Sequence, residues 1–184
     1  MKKALKITRQ VLFYVVVLFS ISYVAVEAIS PSKTMEIFGF KSFIVVTQSM
    51  EPDINRGDWI MVIRSKPERL EIGEAITFYT YLRAIDSYDY VTHYLVDIEL
   101  NQDNETIYIT QGVNQPIDRW TDEDGEPKDI LYEDITGRVF FVVPFLGNII
   151  FALRNPMMLG LLILNGIIIY VLVKLLKPQK KVDV

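Results

Sequence analysis

The stretch Val45-Val46-Thr47-Gln48-Ser49-Met50-Glu51-Pro52 opens the middle part of the chain. A β-branched apolar run ends abruptly in polar residues and a proline, the pattern of a strand running into a turn. Such a strand end holds out one hydroxyl, that of Ser49. A lone serine at a strand-to-turn junction is most often only that, so its meaning depends on the rest of the chain.

The same β pattern recurs through the middle of the sequence. Period-2 or β-branched runs fall at residues 43–46, 59–63, 75–81, 90–98, 106–110 and 135–143, separated by Gly, Pro, Asn and Asp clusters. Neither a long amphipathic helix nor a repeat interrupts them. The expected fold is mainly β: one small antiparallel domain over residues 30–156.

Outside this domain the composition changes. Of the 184 residues, 51% are hydrophobic, and the excess lies in two blocks near the ends. The net charge is +3 over residues 1–29, −10 over 30–156 and +3 over 157–184. Basic ends around an acidic middle argue for membrane flanks and against nucleic acid. The chain has no cysteine, which excludes disulfides, a thiolate nucleophile and Cys-based metal sites.

The first block, residues 11–26, follows Lys2, Lys3, Lys6 and Arg9. Two readings are open. One is a removable signal peptide cut near Val26-Glu27-Ala28. The favoured one is an uncleaved signal anchor, since extension through Ala28 and Ile29 approaches spanning length, although Glu27 weakens that extension. The second block, residues 157–176, carries no charge before Lys174; at about 1.5 Å per residue it covers roughly 30 Å, a bilayer core. Lys174, Lys177, Lys180 and Lys181 place the C-terminus on the cytoplasmic side, as the N-terminal cations place the N-terminus. Residues 139–153, broken by Pro144, Gly147 and Asn148, are too short for a third span and read as a strand and turn, buried or lying on the membrane surface. The expected division is a cytoplasmic basic segment and signal anchor (1–29), an extracytoplasmic β domain (30–156), a transmembrane helix (157–176) and a cytoplasmic basic tail (177–184).

Few residues in the middle domain can carry chemistry. His93, the single histidine, lies in Tyr90-Val91-Thr92-His93-Tyr94-Leu95-Val96, where strand alternation puts it on one face with Val91 and Leu95. A lone histidine is usually structural. A serine nucleophile, however, needs a base, and His93 is the one imidazole that can serve Ser49. A carboxylate from Gly112-Val113-Asn114-Gln115-Pro116-Ile117-Asp118 would orient that imidazole, although the residues alone do not separate Asp118 from Asp122, Glu123, Asp124, Glu126 and Asp129. Asp122-x-Asp124-Gly125 lacks the remaining spacing of an EF-hand. Asn104-Glu105-Thr106 is a glycosylation acceptor only in a host that glycosylates.

Taken in order, Ser49-Met50-Glu51-Pro52, Arg56-Gly57-Asp58, the strand over 75–79, His93 and the segment from Gly112 to Asp118 resemble the type I signal peptidases. The likeness is to the ER-type branch of archaea, some Gram-positive bacteria and the eukaryotic endoplasmic reticulum, and it spans residues 44–146. It implies a small antiparallel β peptidase domain (signal peptidase/LexA-like) flanked by two transmembrane helices. The implied activity is a membrane-bound serine endopeptidase that removes N-terminal signal peptides from exported precursors after small residues. Ser49 would be the nucleophile and His93 the general base that this branch uses in place of lysine; no lysine occurs between Lys66 and Lys128. Asp118, matching an acidic position of the family's Gly-Asp-Asn-Asn-x-x-Asp-Asp box, would support His93. The Ser49 N–H and the Thr47 hydroxyl would form the oxyanion hole. The resemblance implies no metal or cofactor, and as partners the exported precursors, membrane lipid, and the Sec translocon or accessory subunits.

Four positions depart from the family pattern. Gln48 stands for Gly, Tyr94 for the Arg after the histidine, Val113 for the first Asp of the box and Arg119 for its last. Two alternatives stay open with them: a catalytically inactive membrane-anchored binding or assembly protein, and a processing protease specialised for a few substrates.

Overall fold

Alternating side chains build the middle of the molecule. In the computed structural model, which describes residues 2–176, six strands form one antiparallel sheet. They are β1 (Phe40–Ile44), β2 (Trp59–Ile63), β3 (Ala75–Leu82), β4 (Ser87–Leu100), β5 (Thr106–Gln111) and β6 (Ile135–Val143), in the order β1-β2-β6-β3-β4-β5. The mainly β, antiparallel expectation for the middle domain is met. The 177–184 tail lies outside the described residues.

Both faces of the sheet are covered. Ile76 and Phe78 of β3, Leu95 of β4 and Tyr108 of β5 pack with Leu70 and Ile130 on one face. Ala75 and Tyr94, one residue out of step, pack on the other with Met35, Met50, Ile54, Ile60 and Val62. Register shifts at Met61/Val62, Thr77/Phe78 and Leu95/Asp97 mark bulges that increase twist. The sheet coils far enough for Phe43 of β1 to meet Tyr90 of β4 at 4.8 Å between ring centroids, although three strands of the order, β2, β6 and β3, lie between β1 and β4.

One strand differs from expectation in a way that matters. β1 ends at Ile44, so Ser49 sits in the loop beyond it and not at a strand end. Pairing continues for one residue only: Val45 N–H donates to Asp58 O at 2.9 Å and Gly57 N–H to Val45 O at 2.8 Å. After Val45 the chain leaves the sheet and turns through Met50, whose side chain is 2% exposed and anchors the loop in the second cluster.

Two helices are long and apolar enough to cross a membrane. They are α1 (Lys2–Ile29), with its apolar part at Leu5–Ile29, and α4 (Pro156–Leu176), with its apolar part at Pro156–Lys174. Glu27 does not shorten α1, because its carboxylate pairs with Lys41 of β1 at 3.6 Å. Lys41 is 4% exposed, donates to Pro31 O at 2.9 Å and lies over the Tyr90 and Phe43 rings. Tyr23 stacks on Phe40 with centroids 5.2 Å apart, and its hydroxyl accepts the Ser42 N–H at 3.3 Å. The C-terminal end of α1 is thus fixed to β1, next to the short α2 (Thr34–Phe38).

Residues 139–153 begin as the strand expected, but their second half is a helix in place of the expected turn. β6 runs to Val143, and after Pro144 the chain forms a nine-residue helix, α3 (Leu146–Arg154). The groups that start this helix come from the loop that follows Ser49: Asp58 Oδ1 accepts Phe145 N–H at 3.1 Å and Gly57 O accepts Asn148 N–H at 3.2 Å. Phe145, Ile149, Phe151 and Leu153 stay exposed.

Asp58, 3% exposed, also accepts Asn55 N–H through Oδ2 at 2.8 Å. The Arg56-Gly57-Asp58 turn is therefore a clamp joining the Ser49 loop to α3. Replacing Asp58 by Ala removes two hydrogen bonds to a charged group, and stability should fall by about 3 kcal/mol. Denaturant unfolding of the detergent-solubilised protein, followed by tryptophan fluorescence, measures it.

Candidate functional site

His93 is set by its strand. On β4 it opposes Ile76 of β3, and it points with Val91 and Leu95 into the first cluster, where it is 5% exposed. Nδ1 lies 2.6 Å from Asp118 Oδ2. Because a carboxylate only accepts, Nδ1 carries the hydrogen and Nε2 keeps its lone pair. Nε2 has no protein hydrogen-bond partner and retains contact with solvent. The ring is thereby arranged as a base with an open nitrogen.

Asp118 is held by the edge strand. Its N–H donates to Thr110 O at 2.9 Å, which lays the 112–118 segment back along β5, and Gln111 bridges to Ile117. Oδ2 accepts a second hydrogen bond, from Thr110 Oγ1 at 2.8 Å, and Thr110 Oγ1 in turn lies 3.0 Å from Trp120 Nε1. The Trp120 ring packs on Phe78 and faces His93, with centroids 5.3 and 5.9 Å apart. Thr110 and Trp120 were not singled out by the sequence; their signal is the alternation that turns Thr110 to the same face as Tyr108, and it says nothing of a hydrogen bond.

Ser49 reaches this site through Gly112. Tyr94 and Gln111 are a β4–β5 pair, so the next register position opposes His93 to Gly112. A Cβ on Gly112 would lie 2.7 Å from Ser49 O, and the following residue, Val113, donates its N–H to that same oxygen at 2.8 Å. The Ser49 loop is thus seated on the chain directly opposite His93. Ser49 is half-buried, and its Oγ lies 3.4 Å from Thr47 Oγ1; Ser49 and His93 make no direct hydrogen bond. Serine–histidine bonds of unliganded sites are often long and tighten when substrate binds. Among the described residues, the N–H groups of Val46, Thr47, Gln48 and Ser49 have no acceptor. The Ser49 N–H, beside the Thr47 hydroxyl, is therefore free to meet a developing oxyanion.

Two of the other acidic residues are occupied elsewhere. Asp122 closes the turn at Gly125, its Oδ1 accepting Glu126 N–H at 2.9 Å, and Asp129 faces Asn101 at 3.4 Å. Among the described residues no three His, Cys, Asp or Glu side chains converge as metal ligands would. Gln115, Pro116, Ile117, Asp118 and Arg119 line an open groove beside the site.

Tyr94, next to His93 but on the opposite face, ties β4 to the Ser49 loop: its hydroxyl donates to Asp53 Oδ2 at 2.8 Å. Compared with known protein families, the chain matches no family model.

Burial first, and then the hydrogen bond and charge of Asp53, push the Tyr94 phenol above the ordinary tyrosine value. A raised value in the folded state means that the bond is fully present below the unfolded value of about 10 and is lost as pH rises through the higher folded value. Ultraviolet titration of the wild type minus Tyr94→Phe should isolate one tyrosine with a midpoint above that of a free phenol.

Proposed function

We propose that this chain is a membrane-bound serine endopeptidase of the ER-type signal peptidase kind, which cuts signal peptides from exported precursors. The observation that carries the reading is the hydrogen bond between His93 Nδ1 and Asp118 Oδ2 on a strand position opposed to Gly112, on which the Ser49 loop is seated. A buried imidazole with one nitrogen held by a carboxylate and the other open to solvent is the arrangement a serine nucleophile requires.

The chemistry follows from these groups. Ser49 Oγ attacks the scissile carbonyl while His93 Nε2 takes its proton. The developing oxyanion is met by the Ser49 N–H and the Thr47 hydroxyl. His93 then protonates the leaving amine, and water, activated by the same imidazole, releases the acyl group from Ser49. The free N–H groups of residues 46–48 suit an extended precursor segment, which would add as a strand while shallow pockets admit small side chains.

The two long apolar helices would act as membrane spans with both termini cytoplasmic, given Lys2, Lys3, Lys6 and Arg9 at one end and Lys174 at the other. The acidic β domain then faces the side on which precursor cleavage sites emerge. The docking of Tyr23 and Glu27 on β1 supports retention of the first helix as an anchor, since these side chains are part of the domain's packing.

A second reading is favoured by one observation: Ser49 Oγ contacts Thr47 and not His93. It is a binding or assembly protein on a peptidase-like domain, with no catalysis. Both readings are tested by cleavage of a purified precursor with alanine before its cleavage site. The wild type should cut it, and Ser49→Ala, His93→Ala and Asp118→Ala should each lose roughly a thousandfold or more, whereas Asp122→Ala and Asp124→Ala should change little. Undiminished cleavage by Ser49→Ala overturns the peptidase reading, and no cleavage by the wild type favours the binding protein.

A further inference from the structure

The bonds behind Asp118 have a fixed direction. An indole Nε1 only donates, so Thr110 Oγ1 accepts from Trp120 at 3.0 Å. The single hydroxyl hydrogen of Thr110 is then left for Asp118 Oδ2 at 2.8 Å, the same oxygen that accepts His93 Nδ1–H at 2.6 Å. Thr110 is 1% exposed and its side chain has no other partner among the described residues. The Trp120 ring is held by Phe78, and Lys128 N–H donates to Trp120 O at 3.0 Å.

From this geometry we infer that Thr110 and Trp120 are positioning residues: a one-way chain, Trp120 Nε1–H to Thr110 Oγ1–H to Asp118 Oδ2, which aims the carboxylate at His93 Nδ1 and so fixes the imidazole tautomer. The chain has a physical purpose. A carboxylate on an open segment can rotate about its side-chain bonds, and each rotation that removes Oδ2 from Nδ1 lets the imidazole hydrogen move to Nε2, where the ring no longer serves as a base. The Thr110 donor penalises that rotation, because Oδ2 would lose two hydrogen bonds at once. Trp120 does the same one step back. Were Trp120 absent, the Thr110 hydroxyl could turn its hydrogen elsewhere; with the indole N–H aimed at its oxygen, the hydroxyl hydrogen is steered to Asp118.

No other charged group competes for the ring. Asp118 is the one charged side chain in hydrogen-bond or ion-pair contact with His93 among the described residues. From β3 the ring meets Ile76, from the strap after β5 it meets Trp120, and the Tyr94–Asp53 pair lies on the opposite face of β4. Arg119 is exposed and unpaired.

The tie rests on the peptidase reading only where activity is the readout, and the single histidine offers an independent one. In full-length protein in detergent micelles, labelled with 15N-histidine, the two ring-nitrogen resonances belong to His93 alone and report its tautomer directly. Once the pH is raised until the ring is neutral, the wild type should show a protonated Nδ1 and an unprotonated Nε2. Thr110→Val, which keeps shape and removes the hydroxyl, should move both resonances toward the average of the two tautomers. Thr110→Ser should restore the wild-type pattern. Trp120→Phe, which keeps a ring against Phe78, should fall between. In precursor cleavage, Thr110→Val should lower kcat roughly 10- to 100-fold with little change in KM, and Thr110→Ser should recover most of it.

The outcomes separate cleanly. A wild-type tautomer pattern in Thr110→Val overturns the inference, as does a pattern that Thr110→Ser disturbs equally. A tautomer shifted by Thr110→Val and restored by Thr110→Ser, where the wild type cuts no precursor, upholds the positioning role and overturns the peptidase reading. A loss of cleavage in Thr110→Val with the tautomer unchanged and a lowered melting temperature assigns Thr110 to packing alone, and also overturns the inference.

Discussion

One close approach organises the site: the carbonyl of Ser49 against the backbone of Gly112 and Val113. The Ser49 loop belongs to the β1–β2 edge of the sheet, whereas His93 and Asp118 belong to its β4–β5 edge, and the sheet order puts these edges at opposite ends. Coiling brings the ends together, but contact between backbones needs a residue without a side chain. A Cβ at position 112 would press on Ser49 O at 2.7 Å, closer than such atoms sit, and the Val113 N–H would be pushed off the same oxygen. Met50, Asp58 and the Tyr94–Asp53 bond act around this contact. Met50 plugs the loop into the core, Asp58 ties it to the start of α3, and Tyr94 ties it to β4. Each holds the loop at one point, and the Gly112 contact is where the three constraints meet.

Much of the architecture was legible because it rests on local periodicity. Alternation located all six strands and put His93 with Val91 and Leu95, and uninterrupted apolar runs located the two long helices. The errors fell where a distant residue decides the local structure. α3 forms because Asp58 and Gly57, some ninety residues earlier in the chain, receive its first N–H groups, and nothing within residues 139–153 carries that information. Glu27 looked like a flaw in an apolar helix because its counter-ion, Lys41, lies on a strand. Asp118 could not be told from its acidic neighbours because what distinguishes it is three partners, His93, Thr110 and Thr110's carbonyl, on two other strands.

The join between α1 and the sheet adds a constraint on position. Lys41 is buried with one ion pair, one carbonyl and two aromatic rings, so its charge is compensated only while Glu27 and the end of α1 stay in place. β1 is the strand that leads to Ser49. A rigid joint at the start of β1 therefore fixes the height of the Ser49 loop above the end of the helix, and α3 with Pro156 does the same from the other side, since it joins the Asp58 clamp to α4. Two helices long and apolar enough to cross a membrane thus hold the loop from two directions.

The four departures from the signal peptidase pattern can each be weighed against this geometry. Gln48 is exposed and does not occupy the left-handed backbone region, so the position has no need of glycine. Val113 packs against the second cluster, where a carboxylate would be desolvated, and its contribution to the site is its backbone N–H, which any residue but proline supplies. Tyr94 puts a phenol where the pattern has a cation; its hydroxyl bonds Asp53 and its ring adds to the core. Arg119 projects into solvent beside the open groove and makes no ion pair. None of the four lies on the path from Trp120 through Thr110 and Asp118 to His93, and none supplies the Ser49 hydroxyl or its N–H. Gln48 and Arg119 therefore alter exposed surface and Tyr94 and Val113 the packing beside the Ser49 loop, while the contacts from Trp120 through Thr110 and Asp118 to His93 stay in place.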